Sequence, residues 1–235
     1  MVWSLDRRIG AAAVIAGALA LAIPIAVADA PAPAGRGGDP ITLVRELAAL
    51  ANRGAGATWM VTFAFSRTTA SGGRLQQTLV QAHVTSAGRP TLDVDGGLGS
   101  LLVTSGRNTY SCTVVHDRPE CLARAGGTGT ARPGDVYGGA VVSGRYDIAR
   151  RPTATIAGLT ASCFFLRLLT GVPVPGLGFS SEQCYSSAGV PLRSRVQASA
   201  AVDERVALTV RRVVGRAELA PVLSQYGLER LAPTR

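Results

Sequence analysis

The chain has 235 residues, 47% of them hydrophobic and 17% charged, with a formal net charge of +9. That apolar content excludes a wholly disordered chain and supplies enough side chains for a core. Lysine is absent, so the basic surface is arginine alone, suited to bidentate contacts with phosphate or carboxylate as well as to plain solvation.

Arg7 and Arg8 precede an uncharged apolar run from Ile9 to Ala28. This is the pattern of a secretory signal peptide, and the run is also long enough to span a bilayer. Ala26-Val27-Ala28 offers a signal-peptidase site; a second at Ala28-Asp29-Ala30 is blocked by Pro31. Residues 1–28 therefore read as a signal peptide or an N-terminal membrane anchor. Either places the remainder outside the cytoplasm, secreted or anchored to the plasma membrane by residues 9–28. No cysteine precedes Cys112, so no lipobox is present. Residues 29–38 are rich in Pro, Ala and Gly and read as a linker; residues 39–235 form the folded domain.

Asp39-Pro40 predicts a helix start, an N-cap followed by Pro in the first turn. Ile41, Val44, Leu47, Ala48 and Leu50/Ala51 share a face up to a stop at Gly54, which predicts a helix covering a sheet. After Gly56 the period changes to two. Trp59, Val61, Phe63 and Phe65 share one face of a strand, and Met60, Thr62 and Ala64 the other. Past the turn TTASGGR, residues 75–86 alternate again and complete a long antiparallel hairpin. Further strands are expected at TLDVD, SLLVTSG, NTYSCTVV and CLAR, with a loop at GGTGTARPGD. DVYGGAVVSGRYDIARR is expected to be a broken helix lying over the sheet. TATIAGLTASCFFLRLL resumes strands. In PLRSRVQAS, Leu192, Ser194, Val196 and Ala198 alternate with arginines; in RVALTVRRV, Val206, Leu208 and Val210 are expected on one face against Arg205, Ala207, Thr209 and Arg211. Residues 218–231 read as a last short helix. One-sided apolar strands exclude an all-parallel sheet and predict an α+β fold, a meandering antiparallel sheet with covering helices.

The four cysteines, Cys112, Cys121, Cys163 and Cys184, are an even set in an exported chain and imply disulfides. Of three possible pairings, Cys112 with Cys121 and Cys163 with Cys184 are local and would each tie neighbouring strands. The rival metal set Cys112, His116 and Cys121 matches no strong zinc spacing, so no metal is expected. Catalytic chemistry is sparse. His83 lies mid-strand, His116-Asp117 suits a turn, and no G-x-S-x-G elbow or P-loop lysine occurs. Asp93 and Asp95 could bind a cation or do acid–base work, or could be a solvated strand edge. No catalytic residue and no cofactor is expected.

Three stretches carry a family resemblance: the N-terminal helix followed by WMVTFAF, then TIAGLTASCF, then CYSSAGVPLR with its turn ending in Gly-x-Pro-Leu-Arg. Over residues 39–215 the chain resembles the LolA/LppX-like, lipoprotein-carrier-like proteins of bacterial envelopes, in particular the disulfide-bearing exported members of GC-rich Gram-positive bacteria. The resemblance implies a strongly curved antiparallel sheet, an open half-barrel, with covering helices on its concave face. It also implies non-enzymatic binding or transport of a lipid, lipidated or other hydrophobic molecule there. Trp59, Val61, Phe63, Phe65, Leu192, Val196, Val206, Leu208 and Val210 would line that face. The low aromatic content, 5%, would make the lining mostly aliphatic. The alternative is a membrane-tethered sensory or regulatory ectodomain that binds a protein or an anionic wall polymer. Expected partners are a hydrophobic or acylated ligand and anionic envelope components, with the membrane itself if the N-terminal segment stays uncleaved. Nucleic acid is not expected in that compartment.

Overall fold

In the computed structural model the described residues run from 38 to 233, except 87, 88, 98, 117, 126–131 and 213. The apolar run Ile9–Ala28, and the linker as far as residue 37, lie outside them. No helix among the described residues is long and apolar enough to cross a membrane.

Helix α1 (Pro40–Gly54) starts where Asp39 accepts the Thr42 amide at 3.1 Å, filling one of the donors a helix leaves open at its start. Its apolar spacing buries Leu43, Val44, Leu47, Leu50 and Ala51 on one side. A first meander follows: β1 (Trp59–Thr69), β2 (Arg74–Ser86), β3 (Arg89–Gly97), β4 (Ser100–Ser105), β5 (Asn108–Val115) and β6 (Arg118–Ala125). Helix α2 (Pro133–Val142) leads into a second series: β7 (Tyr146–Arg150), β8 (Ala154–Ile156), β9 (Leu159–Leu168), β10 (Ser180–Ser186), β11 (Pro191–Gln197) and β12 (Ala201–Arg211). Helix α3 (Arg216–Ser224) and a 3-10 turn at Glu229–Leu231 close the described chain.

The strands form one open antiparallel sheet in the order β6-β5-β4-β3-β2-β1-β12-β11-β10-β9-β7, with β8 beside β9. Two meanders are thus joined by the pairing of β1 with β12. The disulfides are Cys112–Cys121 and Cys163–Cys184. The first spans β5 and β6 and the second spans β9 and β10, so each meander carries one. All four sulfurs are bonded, the usage of an extracytoplasmic chain, and the Cys112/His116/Cys121 metal set is thereby closed to a metal.

The expected broken helix over DVYGGAVVSGRYDIARR is corrected. Only its first part is helical. Gly144, at φ 72°, ends the turn after α2, and Tyr146 and Ile148 then alternate into the core as β7. The helix–strand ambiguity arose because GGAVV carries neither period cleanly. Helix-forming residues at 218–231 likewise resolve into a short helix and a separate 3-10 turn.

The helices divide between the two faces. α1 and α2 pack on Ile148, Phe164, Leu166 and Tyr185. Cross-strand register carries that face from Phe164 through Gln183, Ser194 and Arg205 to Phe65. It is therefore the face of Trp59, Val61 and Phe63. α3 packs through Leu219 and Leu223 on Met60, Ala82, Val94, Leu101 and Val103, which is the opposite face of the first meander.

Close approach fixes how α1 lies on the sheet. The β10–β11 turn presses Gly189, at φ 80°, against the carbonyl of Leu50 and the amide of Gly54, leaving no room for a Cβ. Gly72, at φ 83° in the β1–β2 turn, faces open space. Gly72→Ala should cost about 1 kcal/mol for its left-handed backbone alone. Gly189→Ala should cost at least about 3 kcal/mol, because it adds a clash between backbones. Denaturant midpoints of the two variants check this.

Candidate functional site

The odd-numbered side chains of β1 form an apolar stripe: Trp59, Val61, Phe63 and Phe65 are each 7% exposed or less. Phe63 sits opposite Leu79 on β2 and Ala207 on β12, and Leu192 is fully buried in the same cluster. Three features close this stripe from above. The Trp59 indole N–H donates to the Gly54 carbonyl at the end of α1 at 2.9 Å. His83, opposite Trp59, stacks on it with ring centroids 5.9 Å apart. Arg205 on β12 reaches Asp95 on β3 at 3.0 Å.

That last contact reports the curvature. In a flat sheet, strands three places apart are separated by about 14 Å, and here the two residues are also offset along the strands. Their side chains meet only because the sheet bends towards this face, so the Trp59–Phe65 face is concave. By register, the line from Arg205 to Asp95 crosses β1 and β2 at the Phe63–Leu79 pair.

Of the nine side chains expected to line the concave face, five are brought together: Trp59, Val61, Phe63, Phe65 and Leu192. Val210, opposite Val61, is only partly buried at the edge of that cluster, and Val206 is corrected: it pairs with Ala64 and Arg193 and so lies on the opposite face of the sheet. Val196 lies outside it, opposite Ser181 and Asp203. Leu208 is corrected: it is 53% exposed, while its neighbour Ala207 is buried at 4%. A β-bulge is responsible. The register shifts between Thr62 and Phe63, and Leu208 is the residue on β12 left without an opposite number. An inserted residue moves the following side chains to the other face, so strict alternation through RVALTVRRV fails at that point.

The residues that complete the site were read otherwise from the sequence. Asp93 and Asp95 do share a face, but Asp93 binds His83 and Asp95 binds Arg205. His83 is 7% exposed. Its Nδ1 meets the Asp93 carboxylate and its Nε2 meets the Ala55 carbonyl at 2.7 Å. Both ring nitrogens are thereby engaged with acceptors, an arrangement that suits the imidazolium and pins β2 to the end of α1. No signal short of three-dimensional pairing could have joined His83 to residue 55. Among the described residues, the one cluster with metal-ligand spacing is Cys163, Glu182 and Cys184, and its two sulfurs are bonded to each other.

No family model matches the chain and no curated protein matches it. Solved structures do show likenesses. Pseudomonas aeruginosa MucB, solved in complex with MucA, aligns at a TM-score of 0.41 with 17% identity, covering 71% of this chain and 56% of that one. Mycobacterium tuberculosis lipoprotein LppX aligns at 0.37 with 11% identity, covering 72% and 94%. A LolA superfamily protein from Nitrosomonas europaea aligns at 0.27 with 8% identity, covering 73% and 95%. The chain spans 56% to 62% of the length of the MucB chains it matches.

Burial pulls the His83 pKa down, but the hydrogen bond and charge of Asp93, with the Ala55 carbonyl, more than offset it, so the pKa is raised above its ordinary 6.5. A raised folded pKa means that the stabilisation is fully present below the unfolded value of about 6.5 and is lost as pH rises through the folded value. The stability gap between the native protein and His83→Gln should therefore be larger at pH 5.5 than at pH 9. Chemical denaturation of both proteins across that range tests it.

Proposed function

We propose that this chain binds a hydrophobic or acylated molecule against the concave face of its sheet, outside the cytoplasm and without catalysing a reaction. One observation carries the reading. A continuous apolar stripe, Trp59 to Phe65 with Leu79, Ala207 and Leu192, runs along the bend of an open sheet, and over its Phe63–Leu79 centre reaches the single ion pair Arg205–Asp95. Such a pair is partly exposed, 29% and 46% by side chain, and pairs of that kind contribute about 1 kcal/mol or less. It is a weak cover, easily exchanged for a guest. The stripe itself is closed in this state, so entry of a guest requires Arg205 to swing away. Trp59, Val61, Phe63, Phe65 and Leu192 are the proposed contacts, with Val210 at the rim. Val196, Val206 and Leu208 are left out of the proposed site.

A second reading, recognition of an anionic wall polymer, draws on the face of β9–β11 opposite α1. There Arg151 lies over the Phe165 ring at 4.6 Å. With Ser180, Glu182, Arg195 and Gln197 it lines a shallow cleft of about 40 Å³, and its Nε has no hydrogen-bond partner.

If the cover opposes entry, Arg205→Ala should bind a fluorescent fatty acid up to about fivefold more tightly than the native protein, the equivalent of about 1 kcal/mol. Phe165→Ala, on the other face, should leave that affinity unchanged. Titrations of the three proteins check this, and equal affinities for the native protein and Arg205→Ala would remove the gate from the account.

A further inference from the structure

One end of the fold presents apolar side chains to solvent on a framework that holds them still. The loop 169–179 joins β9 to β10. Within it, Leu169 is 57% exposed, Val172 76% and Phe179 44%, and Val142 at the end of α2 is 68% exposed. These four belong to one region. The Leu169 amide donates to the Arg145 carbonyl at 2.8 Å, and Leu168 donates to the Phe179 carbonyl at 2.8 Å. Arg145, three residues after Val142, donates through its guanidinium to the Val172 carbonyl.

The exposure is built rather than frayed. The buried Tyr146 hydroxyl accepts the Val174 amide at 2.9 Å and donates to the Gly178 carbonyl at 2.6 Å. Leu177, only 2% exposed, is driven into the core beneath α1 and α2. The same loop thus buries one apolar residue and holds others outward. Unpartnered apolar patches on an otherwise well-packed surface mark interaction sites.

Two observations select the partner. The first is charge. Arg145 and Arg167 flank the loop, the latter 63% exposed beside a single Asp147 at 3.7 Å, on a chain of net charge +9. The second is direction. The C-terminal end of α1 is held against the β10–β11 turn, at the end of the sheet away from this loop. The Gly134 amide at the start of α2 is bonded to Asn52 at 3.1 Å, so the end of α2 runs beside the beginning of α1. Ile41, in the first turn of α1, adds a further 36%-exposed apolar side chain at the same end. The chain therefore enters the fold where the apolar loop projects, and the sequence that precedes this entry holds the apolar run Ile9–Ala28.

We propose that this end of the domain docks on an anionic lipid surface, with Leu169, Val172 and Phe179 entering the headgroup region and Arg145 and Arg167 facing lipid phosphates. Apolar insertion and cationic attraction reinforce each other at such a surface, and the electrostatic part is screened by salt. The docking is independent of any guest on the concave face.

The test uses the full chain with an environment-sensitive fluorophore on Val172→Cys, or on Ser187→Cys in the exposed β10–β11 turn at the opposite end. On vesicles of phosphatidylcholine with 30% phosphatidylglycerol, the probe at 172 should shift to the blue, be quenched by brominated lipid and lose at least fivefold of its accessibility to aqueous iodide. The probe at 187 should change in none of these. Adding Leu169→Asp to the 172-labelled chain should abolish most of the shift, with the circular dichroism spectrum unaltered. Equal iodide access at 172 with and without vesicles would overturn the proposal, even if the N-terminal segment holds the chain on the membrane. So would an equal response on pure phosphatidylcholine, or a blue shift that appears with rising protein concentration and no lipid, which would instead show a second copy of the chain on the loop.

Discussion

The pairing of β1 with β12 holds the two meanders together, and the remainder of the structure depends on it. It runs from Met60 opposite Arg211 to Thr69 opposite Ala201, uniting residues far apart in the chain. Neither disulfide crosses it, since each lies within one meander. The seam is therefore held by backbone hydrogen bonds, by Phe63 against Ala207, and by the bidentate Arg67–Asp203 pair with both contacts at 2.6 Å. Ordering a loop of this length carries an entropic cost that only long-range burial can offset. The apolar stripe on β1 supplies that burial at the seam itself.

The bend of the sheet follows from the same seam. The β-bulge opposite Thr62 and Phe63 adds local twist, and the concave side formed there receives side chains from both meanders. Arg205 comes from one and Asp95 from the other. The helices then distribute by need. α1 and α2 cover the concave face over the second meander, where Phe164, Leu166 and Tyr185 would otherwise be wet. α3 covers the reverse of the first meander. The stripe between the two helix pads meets the end of α1, His83 and the Arg205–Asp95 pair, with Val190 of the β10–β11 turn buried in the same cluster. That is the part of the concave face where the proposed guest would sit.

The fold was legible in the sequence wherever a period was clean. The capped helix after Asp39, the hairpin of β1 and β2, the two local disulfides and the antiparallel α+β class all followed from spacing and turn chemistry, while the open, curved sheet was implied only by the family resemblance. Legibility ended where structure depends on pairing across the chain. Nothing within RVALTVRRV announces that Leu208 is a bulge residue, because its opposite numbers lie on β1. Asp93 and Asp95 could be placed on a shared face but not with His83 and Arg205, which reach them through the hairpin and through curvature. GGAVVSGRYDIARR failed for a different reason: glycines and β-branched residues leave both periods open, and burial of Tyr146 and Ile148 beneath α1 decides the outcome.

The most direct test of the central claim is intermolecular NMR contact between an acyl chain and assigned methyl groups of the protein. With a long-chain fatty acid bound, the account predicts cross-peaks from its methylenes to Val61, Leu79 and Leu192, together with a displaced Arg205 side-chain resonance. Contacts confined to surface methyls such as Leu122 or Leu208, with those of the concave stripe unchanged, would contradict it.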